Sequence, residues 1–305
     1  MLDGLVPTID QGQCHECDRL WRTDRKLTYQ CDVSKLTPAL CFKFVTLSPD
    51  EDARQFLRRA HEIGFFSYRN LARVFLSPAL EFFGMSSRTD RHAYLQIGEM
   101  FVLGSTQVAT LLQRVQFRSS SDDAITVLDI GAGDGSVTDN FVRGLRSHLR
   151  DGTCDVRVTA TEASYQMVQR LAQRGYDARH CTDLSEIHST FDIVLLFNIL
   201  DRCSSPIDVL HDVRQRCHDN TMIVLACVFP FRPYVVDGNV KQRLPTVEAA
   251  RGFEASVVAM SEFLNDDGWE IQVIARVPYI SECCATHPYQ VLHDAIFVLK
   301  PRPQL

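Results

Sequence analysis

The chain has 305 residues, 45% apolar and 23% charged, which excludes a disordered chain, a collagen or a coiled coil. Basic residues number 32 against 38 acidic ones, and the net charge of −6 argues against broad, non-specific binding along a phosphate backbone, without excluding a local basic groove. No apolar run approaches the ~18 residues of a membrane-spanning helix. Residues 1–13 hold two Asp and no Lys or Arg, unlike a secretory signal, so the sequence predicts a cytoplasmic chain.

The eleven cysteines are odd in number and irregularly spaced, and Cys203 and Cys227 sit inside apolar runs, which predicts mostly reduced, buried thiols. Cys14 and Cys17 form a CxxC, but structural zinc needs four ligands, and Cys31 and Cys41 are not a second pair. No metal site is expected.

Residues 1–35 are polar and read as an arm. Residues 36–118 read as a helical region. Phe56, Leu57, Ala60 and Ile63 recur at helical spacing, as do Tyr68, Leu71, Val74 and Phe75, and apolar residues continue through Phe82, Phe83, Tyr94, Leu95, Met100 and Phe101. From 119 to 305 strands alternate with helices. Strands are expected over 125–130, 156–161, 191–200, 222–229, 271–277 and 295–299. Helices are expected over 137–149, 167–172, 206–218 and 249–264. This alternation predicts a mostly parallel α/β sheet covered on both faces, with the last two strands as an antiparallel pair at one edge.

The segment Val127-Leu-Asp-Ile-Gly-Ala-Gly-Asp-Gly135 joins a strand to a helix. Its GxGxG spacing differs from the GxGxxG of dinucleotide folds, and Asp129 precedes the first glycine, where a carboxylate would repel a pyrophosphate. S-adenosylmethionine has no phosphate, a cationic sulfonium, an ammonium and a ribose diol. Asp129 suits its amino end, directly or through water. Gly131 and Gly133, with Ala132 between them, leave room for its methionine portion. Glu162, at the end of the next strand, suits the ribose hydroxyls, and Asp183 is a weaker candidate near the adenine. The bland alternative is a glycine turn with Asp129 capping the helix; an NAD enzyme is a further alternative.

The strand that begins at Phe191 ends in polar residues. Ligands in open α/β sheets sit beyond the carboxyl ends of the strands, so Asn198, Asp201 and Arg202 are placed to meet a substrate. Asp201 has a competing role as cap of the helix near Pro206.

At this point the sequence resembles the DREV family, also called the methyltransferase-like protein nine family. The resemblance is carried by Leu128-Asp-Ile-Gly-Ala-Gly-Asp-Gly-Ser-Val-Thr138, Ala160-Thr-Glu162, Asn198-Ile-Leu-Asp-Arg-Cys203, Pro230-Phe-Arg-Pro-Tyr234, Arg276-Val-Pro-Tyr279 and Asp294-Ala-Ile-Phe-Val-Leu-Lys-Pro301. It spans about Met85 to Pro301 and continues more loosely through the helical region. It implies a class I, Rossmann-like fold and a protein-histidine Nπ methyltransferase acting on His-x-His motifs. It also implies S-adenosylmethionine contacts at Asp129, Gly131, Glu162, Asn198 and Tyr279, and a substrate-handling acid at Asp201. Vertebrate members begin with a hydrophobic segment that this chain lacks, and members occur in the endoplasmic reticulum or mitochondria. Near the C-terminus, Tyr289-Gln290 and His293-Asp294 stand where the family often has paired tyrosines and then two acids, which bears on substrate preference.

The chemistry expected is modest. Asp201 accepts the far ring N–H of a substrate histidine and leaves the near nitrogen with its lone pair. Asn198 belongs to the same catalytic end of the site. Tyr234 and Tyr279 shape the pocket, Tyr234 being equally readable as core packing. Asp294 is a candidate subsite for the second histidine. The chain contains no His-x-His among its ten histidines, so it is not expected to methylate itself. Two other readings stay open: a class I methyltransferase for a small molecule or RNA, and a catalytically silent cofactor-binding or scaffold protein. The expected partners are His-x-His proteins, with no nucleic acid.

Overall fold

The computed structural model describes residues 27–62, 99–118, 124–149, 155–181, 184–235, 239–284 and 287–303. Cys14, Cys17, Asp183 and the periodic residues between Ile63 and Leu95 lie outside these, so no account of them follows.

In chain order the elements are β1 (Phe44–Val45), α1 (Glu51–Glu62), β2 (Met100–Phe101), α2 (Ser105–Arg114), β3 (Ala124–Ile130), α3 (Ser136–Leu149), β4 (Asp155–Glu162), α4 (Tyr165–Gln173), β5 (Asp177–His180), β6 (Phe191–Phe197), α5 (Pro206–Arg214), β7 (Cys217–Val228), α6 (Phe253–Asp266), β8 (Trp269–Cys284) and β9 (His287–Pro301). Short helical turns at Val33–Lys35, Pro38–Cys41, Leu184–Glu186 and Pro245–Ala249 complete them.

One sheet runs in the order β1-β8-β9-β7-β6-β3-β4-β5, with β2 pairing β8. β3, β4, β5, β6 and β7 are mutually parallel. β9 is antiparallel to β7 and to β8, between which it inserts. This is the expected Rossmann-like sheet with an antiparallel portion toward one edge.

The period-2 alternation of side chains builds two cores. Val127, Ile193, Leu195 and Val224 face one layer, covered by Val108 and Leu112 of α2, Phe141 and Leu145 of α3, and Leu171 of α4. Leu128, Val194, Leu196 and Leu225 face the other, covered by Leu210 and Val213 of α5 and Val257, Met260 and Leu264 of α6. The result is helix, sheet, helix.

The segments before β3 contribute to this body. Tyr29 is buried in the first core, and Leu36 and Leu40 in the second. β1 and β2 both extend the sheet at β8, so Met100 and Phe101 are strand residues rather than helical ones.

Several boundaries differ from expectation. The helix over 206–218 stops at Arg214, and Cys217 and His218 already belong to β7. The Arg216 guanidinium turns inward after it, donating to Ile187 O at 2.9 Å and to Leu184 O. The helix over 249–264 is interrupted where Gly252 adopts φ 84°, a left-handed conformation that a helix cannot continue through. The strand over 191–200 ends at Phe197, because Asn198 has φ 57° and turns the chain.

β3 has β4 on one side and β6 on the other. Strand order reverses there, and the crevice beyond the carboxyl ends of β3 and β6 is where such sheets bind ligands.

Candidate active site

The first wall is the loop after β3. Gly131 and Gly133 take φ of 68° and 57°, which favours glycine. A Cβ on Gly131 would also stand 2.2 Å from Ile199 Cδ1. The glycine thus lets this loop close on the turn after β6. Ala132 N donates to Thr161 O at 3.0 Å, tying the loop to β4. Asp134, not Asp129, caps α3: its Oδ1 accepts from Ser136 N at 3.0 Å and Ser136 Oγ at 2.5 Å. The capping alternative for Asp129 is thereby set aside.

Asp129 is 2% exposed, and its Oδ2 accepts from Thr138 Oγ1 at 2.5 Å. Burial pushes its carboxyl up to about 7; the Thr138 hydroxyl opposes this and the charge of Glu162 adds to it. Glu162 Oε2 accepts from Gly133 N at 2.9 Å, and Oε1 from Ala163 N at 2.8 Å and Ser164 N at 3.3 Å. A carboxylate offers about four acceptor positions. Three are used, so Glu162 both braces the loop and retains capacity toward a diol.

The second wall is the turn after β6. Arg202 N and Cys203 N both donate to Ile199 O, at 2.9 and 3.0 Å, and the tight turn aims Asp201 into the protein. Asp201 is 0% exposed, and its Oδ2 accepts from Arg202 Nε at 3.0 Å. Burial pushes the Asp201 carboxyl up and the Arg202 guanidinium opposes it. Asp201 does not cap α5; Ile207 N and Asp208 N donate instead to Gln242 Oε1, at 3.0 and 3.2 Å.

β9 and β8 bring the third part. Asp294 stands opposite Val228 of β7 and Val277 of β8 and is 0% exposed. Its Oδ2 accepts from Asn198 Nδ2 at 2.8 Å. Burial pushes its carboxyl up to about 8; Asn198 and Arg202 oppose this, and Asp201 adds to it. Tyr279 is 8% exposed, its hydroxyl donates to Met100 Sδ at 2.8 Å, and burial raises its pKa. Asn198 Oδ1, Asp201 Oδ1 and Asp294 Oδ1 are buried and have no hydrogen-bond partner among the described residues.

The structure therefore groups Asn198, Asp201, Arg202 and Asp294, with Tyr279 and Arg202 electrostatically coupled. Tyr234 is different. Its side chain is 40% exposed, while its backbone N donates to Asp201 O at 2.7 Å, so the Pro230–Tyr234 stretch fixes the Asp201 turn and its ring is not core packing. Gln290 donates to Ser281 Oγ at 3.0 Å, and His293 O accepts from Phe229 N at 2.8 Å. Sequence reasoning missed Met100 and Ile199, whose roles depend on contacts across the sheet.

Cys31, Cys41, Cys181, Cys203, Cys217 and Cys227 are free thiols, and only Cys227 of these is fully buried. Burial pushes Cys203 up to about 11 and Cys227 also upward, so neither is a nucleophile. Among the described residues no group of His, Cys, Asp and Glu is arranged to hold a metal ion. Among the same residues no helix is long and apolar enough to cross a membrane.

A family model of DREV methyltransferases matches residues 28–301. The chain belongs to the DREV methyltransferase family. Its activity class is methyl transfer and its cofactor is S-adenosylmethionine. Solved structures are more distant. The CurJ carbon methyltransferase is 15% identical, covering 85% of this chain and 72% of its own, with a TM-score of 0.45. PH1948, a Pyrococcus horikoshii protein, is 12% identical over 65% of this chain and 83% of its own, TM-score 0.44. The precorrin-6y C5,15-methyltransferase of Geobacter metallireducens is 17% identical over 64% and 87%, TM-score 0.36.

The residues present fit the DREV cofactor. The left-handed glycines give the loop a face without side chains, and Asn198 Oδ1 is a buried acceptor with no partner among the described residues. Carboxylates stand at the ends of β3 and β4.

Proposed function

We propose that this chain is a protein-histidine Nπ methyltransferase acting on His-x-His motifs, with Asp129, Gly131, Ala132, Gly133, Glu162, Asn198 and Tyr279 holding the cofactor. The observation that carries the reading is the trio of buried, unpartnered oxygens on Asn198, Asp201 and Asp294 among the described residues. Each unmade hydrogen bond of this kind costs about 1–3 kcal/mol. Those on Asn198 and Asp201 favour a ligand that brings N–H donors, that on the protonated Asp294 favours one that brings an acceptor, and a neutral imidazole brings one N–H and one lone pair.

Asp201 divides its work between two oxygens. Oδ2 is held by Arg202, which opposes the effect of burial and favours the charged carboxylate. Oδ1 accepts the N–H of the ring nitrogen far from the substrate backbone. That choice fixes the tautomer and leaves the near nitrogen as the nucleophile. An imidazole with its ordinary pKa of about 6.5 is already mostly neutral above pH 7, so no strong base is required. When bound, S-adenosylmethionine supplies an electrophilic methyl group on a sulfonium. Asp201 stabilises the positive charge that grows on the ring, more strongly in this buried place than in water. Holding the near nitrogen in line accounts for much of the remaining rate.

Asp294, its carboxyl pushed up to about 8, holds a proton at neutral pH. Asp294 and Arg202 serve the second histidine. The exposed Tyr234 ring is free to meet the peptide.

The test is incubation with labelled cofactor and a panel of His-x-His peptides, single-histidine peptides, small-molecule acceptors and RNA. Label in the His-x-His peptides, lost with Asp201→Asn, supports the proposal. Label in RNA or small molecules and none in peptides overturns it.

A further inference from the structure

Met100 links two parts of the site that lie on different strands. Its sulfur accepts the Tyr279 hydroxyl at 2.8 Å. Its methyl carbon lies 3.4 Å from where a Cβ on Gly133 would stand, an ordinary van der Waals approach. The Met100 side chain on β2 therefore bridges Tyr279 of β8 and the glycine loop.

The backbone fixes this placement. Met100 pairs with Ser281 and Phe101 with Ile280 on β8, and Glu99 O accepts from Glu282 N at 3.0 Å. Phe101 is 1% exposed and packs against Phe56, ring centroids 5.8 Å apart, which anchors β2. Met100 itself is only half-buried and lines a cavity of ≈ 170 Å³ with Ser136 and Asn140.

The partner chosen for Tyr279 is informative. A thioether is a weak acceptor, so this hydroxyl is oriented but not strongly committed. An unbranched, polarizable side chain also adapts to the shape beside it.

We infer that Met100 is a wall of the cofactor site, closing it over Gly133 and steering the Tyr279 hydroxyl toward the ligand. The segment ahead of β3 then takes part in cofactor binding and does more than brace the sheet. This inference rests on the cofactor lying along the glycine loop.

The test uses the full chain and S-adenosylhomocysteine, which binds without reacting. Mild peroxide is applied with and without saturating ligand, and sulfoxide at each methionine is followed by mass spectrometry. Oxidation follows exposure, so ligand is expected to slow Met100 oxidation by about fivefold or more. The buried Met222 and Met260 stay unoxidised throughout and report that the fold is intact. Calorimetry runs alongside. Met100→Ala is expected to weaken ligand affinity by about tenfold, and Met100→Leu, which keeps the apolar volume, by less. Binding that depends on Asp129 but leaves Met100 oxidation unchanged overturns this inference alone, as does Met100→Ala with unaltered affinity. Ligand that does not bind, or binds equally to Asp129→Ala, overturns the placement of the cofactor and this inference with it.

Discussion

Asn198 and Asp294, 96 residues apart in the chain, are joined by a 2.8 Å hydrogen bond from the tip of β6 to β9. The bond commits the Asn198 amide N–H to Asp294 and leaves Oδ1 as an acceptor. It also places a buried carboxyl beside Asp201, and so ties the electrostatics of the site to pH.

That link has a measurable sign. The Asp294 carboxyl is raised from 3.8 in the ordinary state to about 8 in the fold, and Asp129 from 3.8 to about 7. The fold therefore binds these protons more tightly than the unfolded chain. Their contribution to stability is full below the ordinary value and is lost as pH rises through the raised ones. Urea unfolding between pH 5 and pH 9 should show stability falling with pH, and Asp294→Asn should flatten the fall. A wild-type curve that rises across this window contradicts the burial of these carboxyls.

Cofactor binding should be coupled to a proton at Asp129. A ligand ammonium favours the ionised carboxylate, and Asp129 gives up its proton only near pH 7 in the free protein. Affinity is expected to increase between pH 5.5 and 7.5 and then level off, with proton release visible by calorimetry in buffers of different ionisation enthalpy. Asp129→Asn should bind weakly with no such release. A flat profile in the wild type would place the ligand's amino end elsewhere.

Gly131 is closed to any other side chain. Its φ of 68° and the 2.2 Å approach of Ile199 Cδ1 both oppose a Cβ. The backbone strain alone is about 1–2 kcal/mol. Gly131→Ala should lower stability by about that amount, with Ile199 swinging aside, and should lose cofactor affinity as the loop shifts. Ile199→Val beside it should relieve the clash and leave the strain.

Asp201→Asn separates binding from chemistry. The carboxamide keeps the volume and one acceptor, while the charge that stabilises the ring cation is gone. Turnover of a His-x-His peptide should fall by about 10²–10⁴-fold, the range of a positioned acid or base, with cofactor affinity within about twofold and the fold unchanged. Near-normal turnover would remove Asp201 from the mechanism.

Much of this architecture was legible in the residues. The central strands β3, β6 and β7 are buried on both faces and read as continuous apolar runs, and the glycine loop sits where β3 ends. β5 was not legible: Asp177-Ala-Arg-His180 lies at the sheet's edge, largely solvated, and lacks an apolar signature. β2 is two residues long, too short for any periodicity. At the site, Asp129, Glu162, Asn198 and Asp201 stand at strand ends and were visible from the strand pattern. The Asn198–Asp294 bond depends on β9 lying beside β7, and the reach of Met100 to Tyr279 on β2 pairing β8, pairings that no local spacing encodes. Tyr234 contributes through its backbone, which holds the Asp201 turn, a role that no side-chain pattern signals.

The most direct measurement is the position of the added methyl group on the substrate ring, read by fragment ions and NMR of a His-x-His peptide after turnover. The account predicts methyl on the nitrogen nearer the backbone, because Asp201 occupies the far N–H. Methyl on the far nitrogen, or on any group other than a histidine ring, would contradict it.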